Sequence, residues 1–101
     1  MCFEEKVKNH FDKTLTELTN KYTRKGYIPL ISDKAEVEVY GFLNSEVHGK
    51  TFTKDDFFVM LSEMTNNAVL QKSKAKEYSD KLYWYTSQKV MQNVLEEIKD
   101  Y

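Results

Sequence analysis

The segment EYSDKLYWYTSQKVMQNVLEEI, Glu77 to Ile98, limits the possible folds most, because its length suits one helix while its apolar residues occupy two faces. At about 100° per residue, Tyr78, Leu82 and Tyr85 share one face, and Met91, Leu95 and Ile98 lie roughly 200 to 260° around from Tyr78. Two foldings satisfy that pattern. In one, a helix runs unbroken from about Ser73 to Asp100 and each face serves a different neighbour. In the other, the chain breaks near Thr86 and Ser87: AKEYSDKLYWYT forms a hairpin turning at Ser79, Asp80 and Lys81, and SQKVMQNVLEEIKD starts a new helix capped by Ser87.

The remaining elements are read by the same periodicity. Phe3, Val7, Phe11, Leu15, Leu18 and Tyr22 recur at steps of four and three, the stripe of an amphipathic helix over about 3–25. Glu4 and Glu5 favour its positive end, Arg24 and Lys25 its negative end, and Gly26 suits the residue that ends it. YIPLI, Tyr27 to Ile31, reads as an edge strand or an extended connector interrupted by Pro29. SDKAEVEVYGFLNSEV, Ser32 to Val47, fits a strand through Val37 and Val39, and a helix through Ala35, Val39, Phe42 and Leu43, with Gly41 counting against the helix. Thr53 and Asp56 stand at capping-box spacing, with Phe52 and Phe57 at the staple positions, so a helix begins at Lys54. TNN, Thr65 to Asn67, is read as a turn before a second short helix, AVLQKSKAK.

The 101 residues fit one domain, and 41% hydrophobic with 14% aromatic content indicates a folded chain although 31% is charged. A domain this small buries only about 60 to 65% of its unfolded surface, so a modest core or a dimer is expected. One cysteine, Cys2, excludes an internal disulfide, and no charged leader or apolar run of about 18 to 20 residues is present. A cytoplasmic protein with no membrane segment is therefore expected.

Catalytic and metal chemistry find little support. His10 and His48 have no metal-ligand spacing with Cys2, and Asp55 and Asp56 are accounted for by the first turn of a helix. There is no nucleophile elbow and no glycine-rich phosphate loop. The expectation is a non-enzyme without metal or cofactor. The net charge of −1 exerts no global pull on nucleic acid, yet NNAVLQKSKAK holds three lysines and no acid. YWY, Tyr83 to Tyr85, could stack on bases or anchor a protein interface.

With helix in the second segment and a break at Ser87, the order of elements resembles that of a winged helix-turn-helix domain. SDKAEVEVYGFLNSEV resembles the first core helix, KTFT the short strand, KDDFFVMLSEM, TNN and AVLQKSKAK the helix, turn and recognition helix, and KEYSDKLYWYT the wing. The resemblance implies an α+β, mostly helical single domain over 1–101, with a helix-turn-helix-like core at about 32–76 and a hairpin plus C-terminal helix at about 76–101. It further implies that Gln71, Lys72, Lys74 and Lys76 enter the major groove of duplex DNA, that Lys81 reaches it from the wing, and that Asn66 and Asn67 donate to phosphate. The apolar face of the first helix (Phe3, Val7, Phe11, Leu15, Leu18 and Tyr22) is left to pair in a homodimer.

Two functions follow. One is a small non-enzymatic DNA-binding protein, a regulator or accessory factor of a bacterial, phage or mobile-element type. The other is a protein-interaction module such as an immunity, inhibitor or antidefence protein, for which mixed charge and seven tyrosines are equally apt. An unbroken helix through Thr86 favours the second.

Overall fold

Four helices make up the chain: α1 (Phe3–Tyr22), α2 (Ile31–Gly49), α3 (Lys54–Lys74) and α4 (Tyr78–Ile98). The computed structural model describes residues 2–101, and no strand occurs among them. The α+β expectation, with its short strand and β-wing, is therefore overturned, and so is the winged helix-turn-helix order built on it.

The break at Ser87 does not exist. α4 buries Ser87, Val90, Met91, Val94 and Ile98, and with partly buried Trp84 the stripe Trp84, Ser87, Met91, Val94 and Ile98 runs at alternating steps of three and four. Ser87 is only 2% exposed, and its hydroxyl donates to the Tyr83 carbonyl 2.9 Å away. A polar residue on the stripe hides it from a hydrophobicity count, while Tyr78 and Tyr85 are exposed and mark no buried face. Packing along that stripe outweighs the β preference of Leu82 to Thr86.

The TNN turn is likewise absorbed into α3. Thr65 donates to the Leu61 carbonyl at 2.8 Å, Gln71 Nε2 donates to Asn67 Oδ1 at 3.4 Å, and Ala68 is fully buried on the stripe begun by Phe57 and Leu61. Asn costs a helix at most about 0.7 kcal/mol relative to Ala, less than burying the next turn returns. The start of α3 is as expected: Asp56 N–H donates to Thr53 Oγ1 (3.1 Å), Thr53 N–H donates to Asp56 Oδ2 (3.3 Å), and the Phe52 and Phe57 rings lie 5.7 Å apart.

The segment open between strand and helix is helical. Ala35, Val39, Leu43 and Val47, each four residues apart, are all buried on α2. The helix starts just before that segment: Leu30 is its cap residue, and the Leu30 N–H donates to the Asp33 carboxylate at 3.0 Å. α1 stops at Tyr22, short of residue 25, and Gly26 takes φ +82° in the turn that follows, a conformation that costs an L side chain and not glycine.

α1 packs on α2, α2 on α4, and α4 on α3. The row is closed by aromatic edges: Phe3 meets Phe52, Phe57 and Phe58 at 6.1 to 6.2 Å between centroids, and Phe11 meets Phe57 at 5.9 Å. The molecule measures 41 × 35 × 22 Å, and its short dimension equals about two helix diameters. Two histidines fasten the exterior, His10 Nε2 to Glu97 Oε2 at 2.5 Å and His48 Nε2 to Asp12 Oδ1 at 3.0 Å.

This packing also corrects the assignment of the α1 stripe to a dimer. Val7 and Phe11 have no exposed surface, Phe3, Leu15 and Leu18 pack against the same core, and the Tyr22 hydroxyl donates to Glu36 at 2.6 Å. The stripe is consumed within one protomer.

Candidate functional site

Where α2, α3 and α4 meet, their side chains leave an open groove of about 630 Å³. Val39 and Met91 form its buried floor, while Phe42, Met60, Met64 and Trp84 form its walls. Phe42 is 49% exposed, although it sits on a helix whose other large apolar residues are mostly buried. Ser87, small and on the buried stripe of α4, also lines the groove. The groove volume lies within the range of about 300 to 1,000 Å³ typical of binding cavities, and thioether walls adapt to irregular apolar shapes.

The rim is acidic. Glu38, Glu46 and Glu63 border the groove with Lys50 as the one cation, and Lys50 is already paired with Glu46 at 3.0 Å. Tyr83 donates to Glu38 at 3.2 Å. Burial, followed by the charge of that carboxylate, pushes the Tyr83 hydroxyl pKa above the ordinary phenol value.

A second exposed apolar feature precedes α2. Ile28 is 81% and Leu30 63% exposed, and Ile31 stands beside them. This hook does not collapse onto the core, because a clasp holds its base. The Tyr22 and Tyr27 rings stack at 5.2 Å, and the Tyr27 hydroxyl donates to Asp33, which also accepts from the Leu30 N–H. Desolvation and then the bond to Asp33 push the Tyr27 pKa up to about 12, while the Tyr27 and Leu30 donors lower that of Asp33. Lys21, Arg24, Lys25 and Lys34 flank the hook in sequence, Lys34 lines a small apolar notch beside it, and the acids Asp33 and Glu36 are occupied by the two tyrosines.

The residues expected to touch DNA are not presented as one surface. Asn66 and Asn67 lie inside α3, so their backbone N–H groups belong to the helix, and Asn67 lines the groove. Lys72 turns toward α4, donating to Gln88 Oε1 at 3.1 Å and sitting 5.5 Å from the centroid of the Tyr85 ring. Gln71 bonds to Asn67, and only Lys74, Lys76 and Lys81 remain together at the α3–α4 connection, with Glu77 and Asp80 among them.

Phe42, Met60 and Met64 were absent from the sequence-based expectation of a site because they have the helical spacing of core residues, whereas Asn67 was assigned to DNA and Tyr83 and Trp84 belong to the YWY run read as a base stack or an interface anchor. The YWY run was the available signal, since Tyr83 and Trp84 both line the groove. Gly41 lies within α2, outside the groove lining, where it costs about 1 kcal/mol relative to Ala, and a Cβ placed there meets nothing within 4 Å, as is also true at Gly26 and Gly49. No contact inside the chain requires a glycine at that position.

The chain matches no protein-family model, and neither the curated proteins nor the solved structures include a significant match to it. No helix among the described residues is long and apolar enough to cross a membrane.

Proposed function

We propose that this protein is an interaction module that binds a protein partner by receiving an apolar, positively charged segment in the groove between α2, α3 and α4. The observation that carries this reading is the joining of open Phe, Met and Trp walls to a rim with three carboxylates and one lysine. Apolar walls favour an amphipathic helix laid into a groove, and the rim selects its flanking charge. Glu63 has no hydrogen bond or ion pair among the described residues, so it is free to meet a cation. The unbroken α4 supports the same reading: its lower stripe is consumed by the core, and its upper stripe, through Trp84 and Ser87, is turned to the groove. Function of this kind suits an immunity, inhibitor or antidefence protein, which acts by covering a partner.

Trp84 is the single tryptophan and stands in the groove wall, so its emission reports occupancy. Titration with a helical Leu/Lys peptide is expected to give a saturable shift of Trp84 emission. A Leu/Glu peptide of the same pattern should bind about tenfold more weakly, as expected for three rim charges at about 0.5 kcal/mol each. Phe42→Asp should abolish the shift. Saturable binding by neither peptide refutes the reading. So does tight duplex binding that falls steeply with salt, is lost in a Lys74, Lys76 and Lys81 triple charge reversal, and is indifferent to the peptide.

A further inference from the structure

The groove and the hook are complementary in chemistry and adjacent in space. One is concave, apolar and ringed by Glu38, Glu46 and Glu63; the other is exposed, aliphatic and flanked in sequence by Lys21, Arg24, Lys25 and Lys34. Glu38 lines both the groove and the small apolar notch formed beside the hook by Pro29, Lys34 and Val37. From Leu30 to Phe42 is twelve residues along α2, about 18 Å at helical rise. The clasp prevents the hook from folding back into the groove of its own chain. A second chain meets no such restriction.

Resting on the groove as the binding site, we infer that the free protein is a two-fold dimer in which the Ile28–Ile31 hook of each copy occupies the groove of the other. Two α2 helices crossing antiparallel about a point near Glu36 bring Leu30 against Phe42, Lys34 against Glu38 and Ile31 against Gly41, each twice. Such self-complementarity is what an isologous interface requires. Open space at Gly41, where a Cβ would meet nothing within 4 Å, leaves room for the backbone of a second copy to approach. The dimer hides the groove, and a partner segment must displace the hook to bind.

Light scattering across a concentration series of the full chain tests this. The mass should rise from 12.0 kDa toward twice that value. Leu30→Asp and Phe42→Asp should each weaken association about a hundredfold, because each places a carboxylate in an apolar contact. Gly41→Leu should stay monomeric, and at a concentration low enough for the wild type to be monomeric as well it should melt no lower than wild type, so its loss of association cannot come from unfolding. Mixing Leu30→Asp with Phe42→Asp should restore a weaker dimer, since that pair retains one intact hook and one intact groove. The Leu/Lys peptide should convert the wild-type dimer to monomer. A mass of 12.0 kDa at every concentration, or a dimer indifferent to Gly41→Leu and Leu30→Asp, overturns the inference. If the monomeric chain still shifts its Trp84 emission with the Leu/Lys peptide, the dimer is refuted and the groove stands; if it does not, both fall. Binding of a monomer to anionic vesicles but not neutral ones, lost in Leu30→Asp, would assign the hook to lipid and also overturn the dimer.

Discussion

Proline placed at two points in α4 separates an unbroken helix from a hairpin followed by a helix. Thr86 is the ninth of 21 residues in α4, and its N–H lies within the helical ladder. Thr86→Pro removes that bond and drives the ring into the Leu82 carbonyl, a cost of about 3 kcal/mol or more. Against a total stability of about 5 to 15 kcal/mol this is a large fraction. At about 4 to 8 °C per kcal/mol, the melting temperature should fall by at least about 12 °C. Tyr78→Pro is the internal control. Tyr78 is the first residue of α4, 78% exposed, and Glu77 before it has φ −83° and ψ 143°, the conformation that a following proline favours. That substitution should change stability by less than about 1 kcal/mol, with a gain permitted by the stiffer unfolded chain. Both variants and wild type are melted at one protein concentration by far-ultraviolet circular dichroism, since association alone shifts melting. If Thr86→Pro stays within about 0.5 kcal/mol of wild type, the chain breaks at that point and the four-helix description is wrong.

Three further outcomes are expected. Phe57→Ala, at a residue 2% exposed and ringed by Phe3, Phe11, Phe52 and Phe58, should cost about 3 to 5 kcal/mol in urea unfolding, whereas half-exposed Phe42→Ala should cost about 1 kcal/mol in the monomer. Thr53→Ala removes the α3 cap and should cost about 1 kcal/mol by the same measurement. The clasp is bounded in pH on both sides. Tyr27, raised to about 12, contributes fully below its ordinary value of 10.0 and loses that contribution as pH climbs through the raised one. Asp33, lowered, contributes above its ordinary 3.8 and loses that contribution as pH falls through the lowered one. The melting difference between wild type and Tyr27→Phe should therefore be flat between those limits and shrink outside them. A difference that varies through neutral pH would refute the assignment.

Where one periodicity was continuous, the sequence was legible. The α1 stripe and the capping box at Thr53 specify their helices with local signals that tertiary packing then reinforces. Legibility failed where polar residues take buried positions and apolar residues take exposed ones. Ser87 sits on the stripe of α4, Thr65 and Asn67 bond back within α3, and Ile28 and Leu30 look like a strand yet face solvent. The groove was illegible for a related reason: Trp84 and Met64 satisfy the helical pattern whether the space beside them is filled or empty. Gly41 entered as an argument against a helix that exists, when its cost pointed instead to the outside of that helix. The lysines of 72–81 were grouped by proximity in sequence, and the continuous α3 then turned Lys72 away from Lys74.

The hydroxyl of Ser87 has a thermodynamic consequence of its own. Because it returns its hydrogen bond to Tyr83 within α4, the Ser87 hydroxyl asks no hydrogen bond of whatever enters the groove. Filling the groove therefore exchanges water mainly for contact with Val39, Phe42, Met60, Met64, Trp84 and Met91. Its calorimetric mark is a negative heat-capacity change of binding, whatever the balance of enthalpy and entropy at one temperature. The rim charges, by contrast, set how that binding responds to salt. The two contributions are thus separable by temperature and by ionic strength in the same molecule.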